Sequence, residues 1–303
     1  MSPSVGRGRL AARLTQCERN RQSIWFTALV NLRHAVGLPV VGGFGDPSVL
    51  LELAVLAEEH GWDGVFLWDH VLYHYPEWTV TSPVVALSAI ASHTSAIRLG
   101  VLVTALPRRR VQVVARETVA LDVLSGGRLV FGAGIGSMDL EYAGFGEDPS
   151  VPARGARLDE SLAVLTALWS GEPVSVRGGP PVRMLPTPVQ RPRIPVWCAG
   201  RWPNRPGIRR AARWDGLAAT FANFGRGVPV PPAEFAAMTA FLAGQRGSLD
   251  GFDVAMEGST EPGSAAVTLA PYAAAGLTWW VEAMGWWRGG VPAARSRIAA
   301  GPP

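Results

Sequence analysis

The 303-residue chain is 48% apolar and 17% charged, with a formal charge of +4. This balance excludes a wholly disordered chain, and no run approaches the ~20 apolar residues of a membrane-spanning helix. Every basic residue is arginine; six lie at or before Arg33 and the rest are interspersed with carboxylates, so a nucleic-acid-binding stripe is not expected. Cys17 and Cys198 are too few for a disulfide framework and show no metal-ligand spacing, which fits a soluble protein of a reducing cytoplasm.

Residues 1–31 are Arg-rich and lack a secretory h-region, and they read as a flexible N-terminal extension or as a start assigned too early. From residue 32 the chain alternates strand-like and helix-like segments. HAVGLPVVGGF is a strand ending in glycines, and Asp46-Pro47 supplies an N-cap and an N1 proline for the helix that follows. Leu50, Leu53, Ala54 and Ala57 give that helix one buried face. The next strand, GVFLWDH, is an apolar run that ends abruptly in Asp69 and His70.

TSPVVALSAIASH then reads as a helix, IRLGVLVTAL as a strand, VQVVARETVALDVLSGG as a helix, RLVFGAG as a strand and ARLDESLAVLTALW as an amphipathic helix. The Pro/Gly-rich GEPVSVRGGPPVRMLPTPVQRPRIP interrupts as an insertion loop after this fourth helix. Four further strand–helix pairs begin at VWCAG, GLAATF, FDVAMEG and LTWWVEAM. About eight βα units in ~270 residues match an α/β protein of the (β/α)8 TIM-barrel class, a single domain over residues 32–303. The Trp-rich WWVEAMGWW points to a buried or homodimeric surface.

In such a barrel the residues just past each strand form the functional rim. Here they are Gly42, Gly43 and Phe44; Asp69 and His70; Val103 and Thr104; Gly134, Ile135, Gly136 and Ser137; Ala199, Gly200, Arg201 and Trp202; Thr220 and Phe221; Glu257; and Glu282. Glycine and aromatic residues dominate, a mixture suited to a flat aromatic ligand that needs close backbone approach. FGAGIGS has the spacing G-x-G-x-G and a loop-like continuation, MDLEYAGFGEDP, which argues against a dinucleotide fingerprint. In AGRWPNRPGIRRAARWDG, a helix starting near Pro206 with Arg201 and Arg205 beside it reads either as an anion site or as a plain helix start with solvated arginines. Of the five histidines, only His70 and His74 occupy rim positions, where imidazole can exchange a proton near neutral pH. There is no serine nucleophile elbow, no HExxH and no carboxylate cluster that argues for a metal.

WDH, LGVLVTALPRRRVQVVARETVALDVLSGGRLVFGAGIGS, ARLDESLAVLTALWSGEP and PTPVQRPRIPVWCAGRWPNRPGIRRAARWDG together resemble the luciferase-like monooxygenase family of flavin- and deazaflavin-dependent oxidoreductases. The resemblance implies a (β/α)8 barrel holding coenzyme F420 or FMN noncovalently at the mouth, for hydride transfer or monooxygenation of a small organic substrate. It places Asp69 and His70 beside the ring, with His70 a proton donor or acceptor. It also implies a bulge with a non-proline cis peptide at Leu102-Val103, and a cofactor-binding set of Leu102, Val103, Thr104, Gly134, Gly136, Ser137, Ala199, Gly200, Arg201 and Thr220. Trp68, Trp202 and Phe221 are the expected apolar walls. Ser137 stands where some deazaflavin-dependent dehydrogenases of this type carry glutamate, and the rim lacks the lysines some relatives place on phosphates. A non-catalytic flavin- or ligand-binding barrel, acting as carrier or sensor, is the alternative.

Overall fold

Short runs rich in Val, Phe, Leu and Ala, each closed by a turn signal, form strands buried on both faces. A computed structural model of the chain describes residues 32–225, 228–261 and 265–303; the N-terminal segment 1–31, including Cys17, lies outside the described residues. The strands are β1 (Arg33–Leu38), β2 (Gly64–Leu67), β3 (Arg98–Ala105), β4 (Leu129–Gly134), β5 (Val196–Trp202), β6 (Gly216–Phe221), β7 (Asp253–Gly258) and β8 (Trp279–Ala283). All pair in parallel in sequence order, and β8 closes on β1. The helices are α1 (Pro47–Glu59), α2 (Pro83–His93), α3 (Val111–Leu124), α4 (Val151–Trp169), α5 (Arg205–Ala211), α6 (Pro232–Arg246), α7 (Ala265–Ala274) and α8 (Gly290–Ala299). This is the (β/α)8 barrel that the alternation predicts.

The first strand ends earlier than its sequence suggests, because the glycines of HAVGLPVVGGF form a 3-10 turn, Gly42–Phe44. Asp46 caps α1 as expected, accepting from the Ser48 N–H at 2.8 Å, and Leu50, Leu53, Ala54 and Ala57 are its buried face. The insertion loop after α4 contains an isolated antiparallel bridge, Val174 to Val182, in place of longer extended pieces. It is tied to the barrel by the buried Asp122, which accepts from the Val189 and Gln190 N–H groups at 2.6 and 3.1 Å.

Two apolar layers hold the fold: one between strands and helices, and a smaller one inside the barrel. The inner layer is plugged low down by Phe66, Trp197 and Trp279, whose ring centroids lie 5.4 to 5.8 Å apart pairwise. Above the plug the inward side chains become small, and that contrast opens the carboxyl-end mouth. Part of this is forced by β3, whose register against β4 shifts between Val101 and Thr104; the Leu102–Val103 peptide is cis. A Cβ at Gly132, next door on β4, would lie 2.1 Å from the Val101 carbonyl oxygen. Gly132→Ala is therefore expected to destabilise the protein by ~1–3 kcal/mol, as overpacking against backbone does, read as a lowered urea midpoint at unchanged slope.

Candidate active site

The β2 ladder runs one residue beyond the strand, with the Trp68 N–H donating to the Leu38 carbonyl at 3.1 Å. Strand alternation keeps Trp68 on the inner side above Phe66. Asp69 turns toward the end of β3 and the turn Leu106–Arg108. Its carboxylate is fully buried and accepts from the Ala105 N–H at 2.9 Å, from Arg109 Nε and Nη2 at 3.2 and 2.6 Å, and lies 2.9 Å from Arg108 Nη2. Burial disfavours its charge, but the Arg109 and Arg108 guanidiniums and these hydrogen bonds outweigh that, and Asp69 stays below the usual carboxylate range. Both oxygens are engaged, so Asp69 fixes the frame around the bulged strand.

His70 reaches the other acid of the network. Its Nδ1 lies 3.3 Å from Glu141 Oε1, which also accepts from the Val71 N–H at 2.7 Å, while Glu141 Oε2 accepts from Arg108 Nη1 at 2.7 Å. Burial opposes the Glu141 charge; the bonds from His70 and Val71 and the Arg108 charge prevail and hold it below its ordinary value. An ionised Glu141 only accepts, so the His70 Nδ1 that faces it donates. Because β2 and β4 flank β3, the His70–Glu141 contact spans the end of the strand that carries the Leu102–Val103 bulge.

Glu141 is not among the rim residues to which the sequence points, because MDLEYAGFGEDP reads as a loop. The structure forms a helical turn there, Leu140–Ala143, and buries Glu141 and Tyr142 in it. The signal was an acid two residues after Asp139 within a segment carrying Leu140 and Tyr142, a pattern that a single short turn can bury on one side.

The mouth itself is lined by Gly37, Leu102, Val103, Gly134, Ala199, Ala218 and the exposed Arg201, Thr220 and Glu257 at successive strand ends. Leu102 packs on the inner plug, and Val103 sits against Gly134, where a Cβ would meet its side chain at 2.2 Å. Gly136 and the exposed Ser137 follow on the rim. Arg201 and Thr220 are register partners on β5 and β6.

Other predicted positions turn away. Thr104 is buried on the helix side, lining a small cleft with Pro83, Val84 and Leu87 of α2, because the bulge sends both Leu102 and Val103 inward. Gly200 backs onto α5, where a Cβ would meet Ile208 at 2.5 Å. Helix α5 has seven residues, and Arg205 lies over the Phe241 ring at 5.1 Å instead of flanking a ligand. Trp202 and Phe221 are not mouth walls: Trp202 donates to Glu234 and packs on Phe241, and Phe221 packs on Phe235. Trp68 packs with Trp286 and Trp287, the last stacked on it at 5.9 Å with 10° between planes. Glu282 is fully buried and accepts from Thr260, Trp280 and Arg288, outside the mouth. His74 is exposed on the loop after β2, against Tyr73.

The architecture is thus that of the TIM-barrel proteins that build their site from the loops after the strands. Within that class the chain belongs to the luciferase-like monooxygenase family, whose model matches residues 27–224. It is 34% identical over 137 residues to an F420-dependent glucose-6-phosphate dehydrogenase of Gordonia bronchialis, covering 44% of this chain and 40% of that protein. With the oxygenase component of a flavin-dependent trigonelline monooxygenase of Acinetobacter baylyi it shares 28% identity over 160 residues, 51% of this chain and 43% of the other. These alignments span less than half the length of the relatives. The fold is also that of the coenzyme F420-dependent tetrahydromethanopterin reductase of Methanopyrus kandleri, with a TM-score of 0.69 at 16% identity, covering 89% of this chain and 96% of that one.

Proposed function

We propose that the chain is an oxidoreductase that holds coenzyme F420 or FMN noncovalently in the barrel mouth and acts on a small organic substrate. The observation that carries this reading is the imidazole of His70, held by the buried Glu141, at the end of the barrel where the inward positions Gly37, Gly134, Ala199 and Ala218 carry little or no side chain. The family and its F420- and flavin-dependent relatives point the same way. When bound, the ring supplies hydride or oxygen chemistry.

The chain's own residues bind and orient. Leu102 and Val103 offer an apolar surface, and Gly134, Gly136, Ser137 and Ala199 allow close approach. Arg201 and Thr220 supply a cation and a hydroxyl to a phosphate-bearing tail. His70 gives or takes a proton at Nε2. No helix among the described residues is long and apolar enough to cross a membrane, and a cytoplasmic, homodimeric enzyme completes the proposal.

Titrating purified protein with oxidised and reduced F420 and with FMN, following ring fluorescence, tests the reading. Saturation by one of them at micromolar concentration is expected; failure of every form to bind overturns it.

A further inference from the structure

We propose that Glu141 is the positioning residue for His70: it holds the neutral imidazole as the Nδ1–H tautomer, so that the bare nitrogen is Nε2, across the ring from the carboxylate. The inference rests on His70 being the proton-exchanging group of the mouth.

Glu141 is buried in the helical turn Leu140–Ala143 that follows β4, whereas His70 follows β2. The two oxygens of Glu141 have separate tasks. Oε1 lies 3.3 Å from His70 Nδ1 and accepts from the Val71 N–H at 2.7 Å, and Oε2 accepts from Arg108 Nη1 at 2.7 Å. The first oxygen thus grips both the imidazole and the backbone amide just after it. Burial opposes the Glu141 charge, but the bonds from His70 and Val71 and the Arg108 charge keep it ionised. An ionised carboxylate has no proton to offer, and a bare Nδ1 would turn its lone pair against a negative oxygen. The Nε2–H tautomer forfeits a charge-assisted hydrogen bond, which disfavours it by ~10-fold or more.

The other charged groups around the imidazole have other partners. Asp69, next to it in the chain, is taken by the Ala105 N–H, Arg109 and Arg108. Arg108 donates to Glu141 Oε2, on the side away from the ring. His74 lies beyond Tyr73, whose own ring meets His70 edge-on at 5.1 Å. Glu141 is therefore the acceptor that fixes Nδ1. An amide in its place has a single acceptor oxygen for donors that now use two. Arg108, charged and only a donor, claims that oxygen, which turns the amide NH2 toward His70 and makes Nδ1 the better acceptor.

The two ring nitrogens are distinguished by nitrogen-15 NMR of the full chain labelled at histidine, at about pH 8.5, where an ordinary histidine is neutral. The His70 signals are those missing from His70→Ala. In the unaltered protein the proton is expected on Nδ1 over Nε2 by ~10-fold or more, and Glu141→Gln should abolish or reverse that preference. In the cofactor-loaded protein Glu141→Gln should lower kcat by ~10-fold with little change in KM, and should cost nothing further once His70 is alanine. A merely structural Glu141 would lower turnover in both backgrounds and leave the tautomer alone. A proton on Nε2 in the unaltered protein, a tautomer unmoved by Glu141→Gln, or an equal loss of turnover with and without His70 overturns the proposal. The first measurement needs no change at Glu141 and no cofactor, so its result stands apart from whether F420 or FMN binds.

Discussion

His70→Ala is expected to lower turnover by ~10²–10⁴-fold, the range for removing a positioned general acid or base, while cofactor affinity changes severalfold at most. The imidazole is held from one side by Glu141 and against the Trp68 and Tyr73 rings at 6.1 and 5.1 Å, so its removal leaves the Arg108 and Arg109 contacts to Asp69 in place. The floor of the mouth is made by other strands, which is why binding should survive. Single-turnover measurements against a fluorescence titration of the same variant separate the two quantities. Unchanged turnover would remove His70 from the chemistry, and a parallel loss of affinity and turnover would make it a binding residue.

Asp69→Asn should be the most destabilising of the conservative changes at the site, by ~3–5 kcal/mol at neutral pH, because it takes the counter-charge from the largely buried Arg109 and leaves Arg108 with Glu141 alone. The pH dependence follows from the depressed Asp69 value. A carboxylate whose folded pKa lies below its unfolded one contributes stability that is fully present above the unfolded value, about 4, and is lost as pH falls through the folded value. The gap between the unaltered protein and the Asn variant should therefore be widest near pH 7 and shrink below about pH 4. Urea unfolding at both pH values checks it. A gap that stays constant with pH would show that Asp69 acts through shape alone. The variant should also loosen the end of β3, since the Ala105 N–H loses its charged acceptor.

The parts of the fold legible in the sequence were those set by local periodicity. Leu50, Leu53, Ala54 and Ala57 announce α1, Asp46-Pro47 its start, and GVFL a strand buried on both faces; eight such alternations lead to a barrel. The rim was legible for the same reason, since strand ends are local features and the (β/α)8 topology gathers them at one end. His70, Arg201, Thr220 and Glu257 lie there as the strand ends predict.

Local pattern was thus enough for the order of elements and for which residues stand at the mouth end. Which way each side chain points, and what it touches, was decided by the tertiary structure. The β3 bulge turns Leu102 and Val103 inward together and sends Thr104 behind the sheet, so simple alternation past residue 101 gives the wrong face. Trp202 and Phe221 fall on the outer phase of their strands and join the helices, while Trp287, beyond β8, stacks on Trp68. Glu141 meets His70 across 71 residues of chain. Contacts of this kind depend on charge compensation and packing between segments remote in sequence, which no local pattern encodes.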